Sequence, residues 1–220
     1  GANHAYNLAV GAGAGVTWEK DNFVASGLFV SQDAADPGSQ ENTPGGILTD
    51  QGRDDITGQL AYVTDTFTIA AAYTHSDNGN SEDVVDALDR TAWGISGFYL
   101  TDYESPYLPS SISAGFGWSN PDRENVPDTE NNAVEAQNTW SMGVTWEDAF
   151  VSGNTLGFAV GTAEGHRDDD GYDEPLAYEV YYQIAVSDNV TVTPAVFNIQ
   201  RDGADNDDLL GALVKTTFKF

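Results

Sequence analysis

A chain of 220 residues with 8 basic against 35 acidic side chains carries a formal charge of −27 and contains no cysteine. That balance would repel a phosphate backbone, which excludes nucleic-acid binding, and the missing thiols exclude disulfide scaffolds and thiolate metal sites. No run of about 18 apolar residues could form a membrane-crossing helix, and aromatic residues at 11% argue against the disorder that high acidity often brings.

The first residue is Gly1, not Met, and no basic-then-apolar leader follows it, as expected of a processed or partial chain. From there, residues alternate between apolar and small or polar with a period of two, the mark of strands with two unlike faces. Eleven strands are predicted, at 5–18, 22–31, 56–64, 66–75, 91–101, 111–119, 139–147, 154–163, 177–186, 190–200 and 209–220. In the first, Leu8, Val10, Ala12, Ala14, Val16 and Trp18 oppose Ala9, Gly11, Gly13, Gly15 and Thr17. The Gly11-x-Gly13-x-Gly15 spacing follows this alternation with no helix after it, so it is not a phosphate cradle. Further on, Phe67, Ile69, Ala71 and Tyr73 oppose Thr68, Ala70, Ala72 and Thr74, and Trp140, Met142, Val144 and Trp146 oppose Ser141, Gly143 and Thr145. Strands 22–31 and 190–200 are ambiguous in phase, and Pro194 fits a strand interior only where the ladder is perturbed. The last two well-phased strands set Tyr178, Val180, Tyr182, Ile184 and Val186 against Glu179, Tyr181, Gln183 and Ala185, then Leu210, Ala212, Val214, Thr216, Phe218 and Phe220 against Gly211, Leu213, Lys215, Thr217 and Lys219.

Two kinds of connection take turns between these strands. Short ones fall at 19–21, 64–65, 102–110, 148–153 and 187–189; long ones, rich in Asp, Glu, Asn and Gly, at 32–55, 76–90, 120–138, 164–176 and 201–208. Short turns at one rim and long loops at the other characterise an antiparallel up-and-down transmembrane β-barrel. Aromatics gather at strand ends, with Trp18, Phe23, Tyr62, Phe67, Trp118, Trp146 and Phe220 expected near the short turns and Tyr6, Tyr73, Trp93, Trp140 and Tyr178 near the long loops. Two such belts match interfacial girdles. A soluble sandwich would instead carry many charges on its solvent face, whereas charges inside these strands are nearly confined to Glu179, Lys215 and Lys219. The whole of 1–220 therefore reads as one all-β barrel domain. With Phe220 at the short-turn rim, eleven strands place residue 1 on the long-loop side; because bacterial barrels usually have an even strand count, the chain is expected to be the C-terminal portion of a larger barrel.

The stretches Gln59-Leu60-Ala61-Tyr62, Ala72-Tyr73-Thr74-His75-Ser76, Asn154-Thr155-Leu156-Gly157-Phe158-Ala159-Val160-Gly161 and Tyr181 through Pro194, with the terminal Phe220, resemble the cyanobacterial outer-membrane porins of the carbohydrate-selective porin family. The resemblance covers most of the chain, the loops least. It implies roughly sixteen strands around an aqueous channel, a trimer, and an N-terminal S-layer homology domain that binds peptidoglycan, a segment not in this sequence. It also implies transport of sugars, inorganic ions or iron. The lumen face lacks an evident ladder of basic and aromatic residues, a departure from a sugar channel.

Candidate pore-lining residues are Gln59, Glu179, Tyr181, Gln183, Lys215 and Lys219, because charges facing lipid at mid-depth would cost several kcal/mol; Lys219 could equally sit at the periplasmic rim. Arg53, Arg90, Arg123, Arg167 and Arg201 fall at the long-loop rim, either as a ring around the outer mouth or as solvated loop charges worth under about 1 kcal/mol each. The acidic stretches 168–174 and 202–208 offer oxygen ligands for weak calcium or magnesium binding, or for bridging to lipopolysaccharide, without EF-hand spacing. No cofactor is expected. His4, His75 and His166 lack zinc-site spacing, and no nucleophile–base pair suggests an enzyme. The expected function is passive diffusion of small hydrophilic solutes and ions, with a weak cation preference from the acidic rim. Its rivals are a non-conducting structural or adhesive barrel and a soluble secreted glycan-binding β-domain.

Overall fold

A computed structural model of the chain describes residues 9–32, 34, 46–48, 52–77, 89–101, 107–121, 136–163, 166–167, 175–200 and 208–219. Strands β1 (Ala12–Lys20), β2 (Phe23–Ser31), β3 (Asp54–Val63), β4 (Phe67–Asp77), β5 (Arg90–Leu100), β6 (Ser111–Pro121), β7 (Gln137–Glu147), β8 (Thr155–Thr162), β10 (Leu176–Ser187), β11 (Val190–Ile199) and β12 (Leu209–Phe218) correspond one to one with the eleven predicted segments. They form a single antiparallel sheet in sequence order with β1 and β12 at its ends; a two-residue β9 (His166–Arg167), not foreseen, pairs with Gln137 and Asn138 of β7. The sheet is open among the described residues, and Tyr6, Leu8 and Phe220 lie outside them.

The boundaries moved where local hydrogen bonding outweighs propensity. The first hairpin turns at Asp21-Asn22, not at 19–21: Lys20 pairs with Phe23, Asp21 takes a left-handed φ of 53°, and Asn22 Nδ2 donates to the Val63 carbonyl at 2.6 Å. β3 starts two residues early and includes Asp54 and Asp55, poor strand formers. Both are held by partners the sequence does not advertise. Asp55 accepts from Gln32 Nε2 at 2.9 Å and Ser76 Oγ at 2.5 Å, and Asp54 accepts from the Leu48 amide at 2.6 Å. At Pro194, which has no N–H to give, pairing between β10 and β11 lapses from Tyr181–Ala195 to Ile184–Val192, and a register shift follows between Ala185 and Ser187.

Cross-strand partners share a face, so the register carries the two faces across the sheet. Trp18, Ala25, Leu60, Ala71, Ile95, Phe116 and Trp140 form one continuous row. Pairing also resolves the ambiguous strands: Phe23, Ala25, Gly27 and Phe29 of β2, and Val190, Val192, Pro194 and Val196 of β11, join this apolar face. The other face carries Gly, Ala, Ser and Thr in most rows. The large residues of the apolar face are the uncovered ones, with Ile95 46% and Met142 52% exposed, whereas Ala92 and Ser119 on the opposite face are each 2% exposed. Small side chains shielded and large ones splayed apart describe a sheet curled toward its small-residue face. Among the described residues the buried apolar side chains are Val30, Ala61, Ala92 and Ala195, too few and too small to form a packed core. A soluble sandwich has no interior to rest on here.

The rows also climb. The row that begins at Lys20 and Phe23, beside a short turn, passes through Tyr62, Ile69, Gly97, Ala114, Met142, Val160, Tyr178 and Asn198 and ends at Leu210, eight residues above Phe218 at the long-loop end of β12. Eight residues of rise over ten strand spacings is about 26 Å in about 48 Å, a strand tilt of about 30°. Tilt of this kind accompanies barrel closure.

Ring contacts define the belts. Phe23, Tyr62 and Phe67 pack in a line at the short-turn end, Phe23 edge-on to Tyr62 and Tyr62 tilted against Phe67, with centroids 5.0 and 5.8 Å apart. At the long-loop end Tyr73, Trp93, Trp118 and Phe116 form a chain at 4.5, 6.2 and 5.9 Å. Trp118, expected near the short turns, thus belongs to the other belt: β6 rises from Ser111 at the short-turn rim, so its eighth residue is near the top.

The 148–154 turn is knotted onto β10. Tyr182 Oη donates to the Ala149 carbonyl and accepts from Asn154 Nδ2, both at 2.9 Å, while Asn154 Oδ1 accepts from the Ala185 amide at 3.0 Å. Asn154 is buried, and Asn154→Ala removes its hydrogen bonds to the half-buried Tyr182 hydroxyl and to the Ala185 amide. The expected loss is about 1–3 kcal/mol in urea unfolding from vesicles, with faster amide exchange over 149–153.

Candidate pore lining

The inner wall is built row by row from the small-residue face. Hydroxyl pairs lock neighbouring strands there: Thr57 Oγ1 to Thr74 Oγ1 at 2.9 Å, and Ser111 Oγ to Thr145 Oγ1 at 2.5 Å. Such residues leave the wall polar and thin, which suits a water-filled lumen more than a packed interior.

Toward the last strands the wall thickens. One inner-face row reads Gly143, Ala159, Glu179, Phe197, Gly211; the next toward the short turns reads Thr145, Gly157, Tyr181, Ala195, Leu213. Two glycines here are spaces for rings. A Cβ on Gly157 would stand 2.1 Å from Tyr181 Cζ, and one on Gly211 would stand 2.3 Å from Phe197 Cζ. Each ring fills the space that a side chain would take on the glycine of the adjacent strand, an arrangement in which the aromatic shields the backbone a glycine leaves bare.

The register puts Gln59 on this face, paired with Ser26 and Ala72, together with Glu179, Tyr181, Gln183 and Lys215. It does not gather them: Gln59 is on β3, far across the sheet from the β10–β12 group. Lys219 lies beyond β12 at the short-turn rim, its amide donating to the Asn189 carbonyl at 2.9 Å and its carbonyl accepting from Asn189 Nδ2 at 2.7 Å. Phe197 and Leu213 were not among the candidates, although Leu213 had been placed on this face. Phe197 was hidden by the unresolved phase of its strand, and only pairing β11 to β10 and β12 together fixes it.

Charges inside strands are more numerous than the composition suggests, because strand ends take in Glu19, Lys20, Asp54, Asp55, Asp77, Arg90 and Glu147. All of these are at the rims. Within the wall, Glu179 and Lys215 remain. At the long-loop rim Arg90 faces Ser76 across β4–β5, one strand from the buried Asp55 that Ser76 contacts, so basic and acidic groups adjoin at the mouth. Arg53 is exposed, and its carbonyl accepts from the Gln32 amide at 2.8 Å. Arg167 falls in β9 opposite Gln137. Arg123, Arg201, the 168–174 stretch and 202–207 lie outside the described residues; among those described, no group of three or more His, Cys, Asp or Glu is arranged to hold a metal ion.

A family model described as "Carbohydrate-selective porin, OprB family" matches residues 41–220. An "Uncharacterized protein alr4550" from Nostoc sp. (strain PCC 7120) is 25% identical over 251 aligned residues, which take in 100% of this chain and 40% of that protein. The chain thus spans well under half the length of this relative. No solved structure matches it.

Proposed function

We propose that this chain, which belongs to the OprB family of carbohydrate-selective porins, forms the C-terminal wall of a passive diffusion channel in the outer membrane. The observation that carries the proposal is the division of faces: large apolar side chains uncovered on the outside of a tilted sheet, small and hydroxyl side chains on the inside. Hydrocarbon accepts the first face and water the second. Further strands from the rest of the protein would pair with the free edges of β1 and β12 and close the wall, since an open edge does not persist in a bilayer. In this reading the whole of 1–220 is part of one barrel domain, a channel without enzymatic activity.

Gln59, Glu179, Tyr181, Gln183 and Lys215 would line the channel, with Arg53 and Arg90 at its outer mouth. Sugars and small ions are the solutes that the family description and the hydroxyl-rich wall favour. The excess of acidic residues supports a weak preference for cations. Assembly as a trimer, contact with lipopolysaccharide through loop-bound calcium or magnesium, and anchorage to peptidoglycan belong to the same proposal.

The test is the full-length protein in planar bilayers. Stepwise conductance is expected, with a reversal potential under a potassium chloride gradient displaced toward that of potassium. Absence of steps from correctly folded protein would favour a structural or adhesive barrel instead, and displacement toward chloride would overturn the cation preference.

A further inference from the structure

On the inner face of the last strands a hollow of about 470 Å³ is lined mainly by Ala159, Ala177, Phe197, Ile199 and Leu213, with the hydroxyls of Ser141 and Thr162 at its border and Glu179 the one charged side chain in its wall among the described residues. This is out of keeping with the rest of the lumen face. Elsewhere that face is mostly Gly, Ala, Ser and Thr, side chains that interact weakly with anything passing. Here a ring, two branched aliphatics and a carboxylate converge within neighbouring rows: Ala177 pairs with Ile199, Glu179 with Phe197, and Ala195 with Leu213. The volume lies within the range of small-molecule sites, which are mostly apolar with a few placed polar groups.

The geometry points to a solute-binding subsite on the channel wall for an amphiphilic organic cation, a small amine with an apolar body; the inference rests on the channel reading above. Phe197 is pre-set for the apolar part, because Gly211 leaves room for its ring against the backbone of β12, and the ring forms part of the wall of the hollow. Ile199 and Leu213 extend that surface. Glu179, next to Phe197 across the strands, supplies the charge for the ammonium group. The nearest strand cation among the described residues, Lys215, does not cancel it. Lys215 lies two strands over and four residues toward the short turns, about 16 Å away by sheet spacing and beyond the screening length of physiological salt. An anion would meet the carboxylate unbalanced, and a polar neutral solute would have to give up water against Ile199 and Leu213.

The test is current through the full-length channel in planar bilayers, titrated with benzylammonium chloride, methylammonium chloride, benzyl alcohol and glucose. Benzylammonium is expected to give a saturable, reversible block in the millimolar range, and the other three to require at least tenfold more. Glu179→Gln and Phe197→Ala should each raise the half-blocking concentration of benzylammonium roughly tenfold, the charge and the apolar surface contributing comparably. Both variants should still conduct. Block by benzylammonium that neither substitution moves, block by glucose at the same concentration, or conduction with no block at all would each overturn the subsite. The last outcome leaves the channel intact, and only a loss of conductance in the unsubstituted protein would count against the channel itself.

Discussion

Arginine in place of Ile95 should lower the stability of the barrel in vesicles by about 2–4 kcal/mol, while arginine in place of its neighbour Ser96 should cost far less. The two residues are adjacent at the middle of β5 and point opposite ways: Ile95 is in the apolar row with Ala71 and Phe116, Ser96 in the inner row with Ala70 and Gly115. On the outer face a guanidinium near the bilayer midplane must snorkel or draw water into hydrocarbon. On the inner face it remains hydrated. Urea titration of folded protein in vesicles measures both. Equal losses would mean that the outer face does not meet lipid, and a larger loss for Ser96→Arg would reverse the assignment of faces.

Gly161→Val should be as damaging for a different reason. A Cβ there would stand 2.6 Å from the Trp140 carbonyl oxygen and 3.0 Å from Ser141 Cα. These are backbone atoms of β7, which cannot rotate aside as a side chain can, so β7 and β8 must separate locally. A cost of about 1–3 kcal/mol or more is expected, together with impaired assembly. Gly58→Val is the internal control. Nothing lies within 4 Å of its Cβ position, and it is on the outer face in the row of Val16, Gly27 and Tyr73. Valine there removes a flexible residue from a strand and adds an apolar side chain toward lipid, so stability should hold or rise by up to about 1 kcal/mol. If both glycines tolerate valine equally, the close approach of β7 and β8 is not a feature of the folded barrel.

The proposed subsite shows how a largely unspecialised wall can acquire selectivity. Most inner positions are too small to hold a solute, and passage past them depends on width and net charge. Two glycines change this locally by giving Tyr181 and Phe197 somewhere to lie. Side-chain size on one strand is thereby set by the absence of a side chain on the next.

The sequence by itself determined the eleven long strands and the character of the faces in most of them, because side-chain alternation is a local property of extended backbone and needs no knowledge of neighbours; the two-residue β9, made only by pairing with β7, left no such mark. Val16 and Trp18 against Gly15 and Thr17, or Met142 and Val144 against Gly143 and Thr145, are legible at sight. The alternation of short and long connections fixed an up-and-down order in the same way. Tertiary structure alone decided what depends on register: the phase of β2 and β11, the lapse at Pro194, the belt to which Trp118 belongs, the tilt of about 30° read from the climbing rows, and the meeting of Phe197 with Gly211. Those pairings join residues up to dozens of positions apart, and each is selected by hydrogen bonding and packing between strands, not by the preferences of either strand alone. Asp54 and Asp55 mark the limit most clearly, since their own propensity opposes a strand and partners brought by Gln32, Leu48 and Ser76 override it.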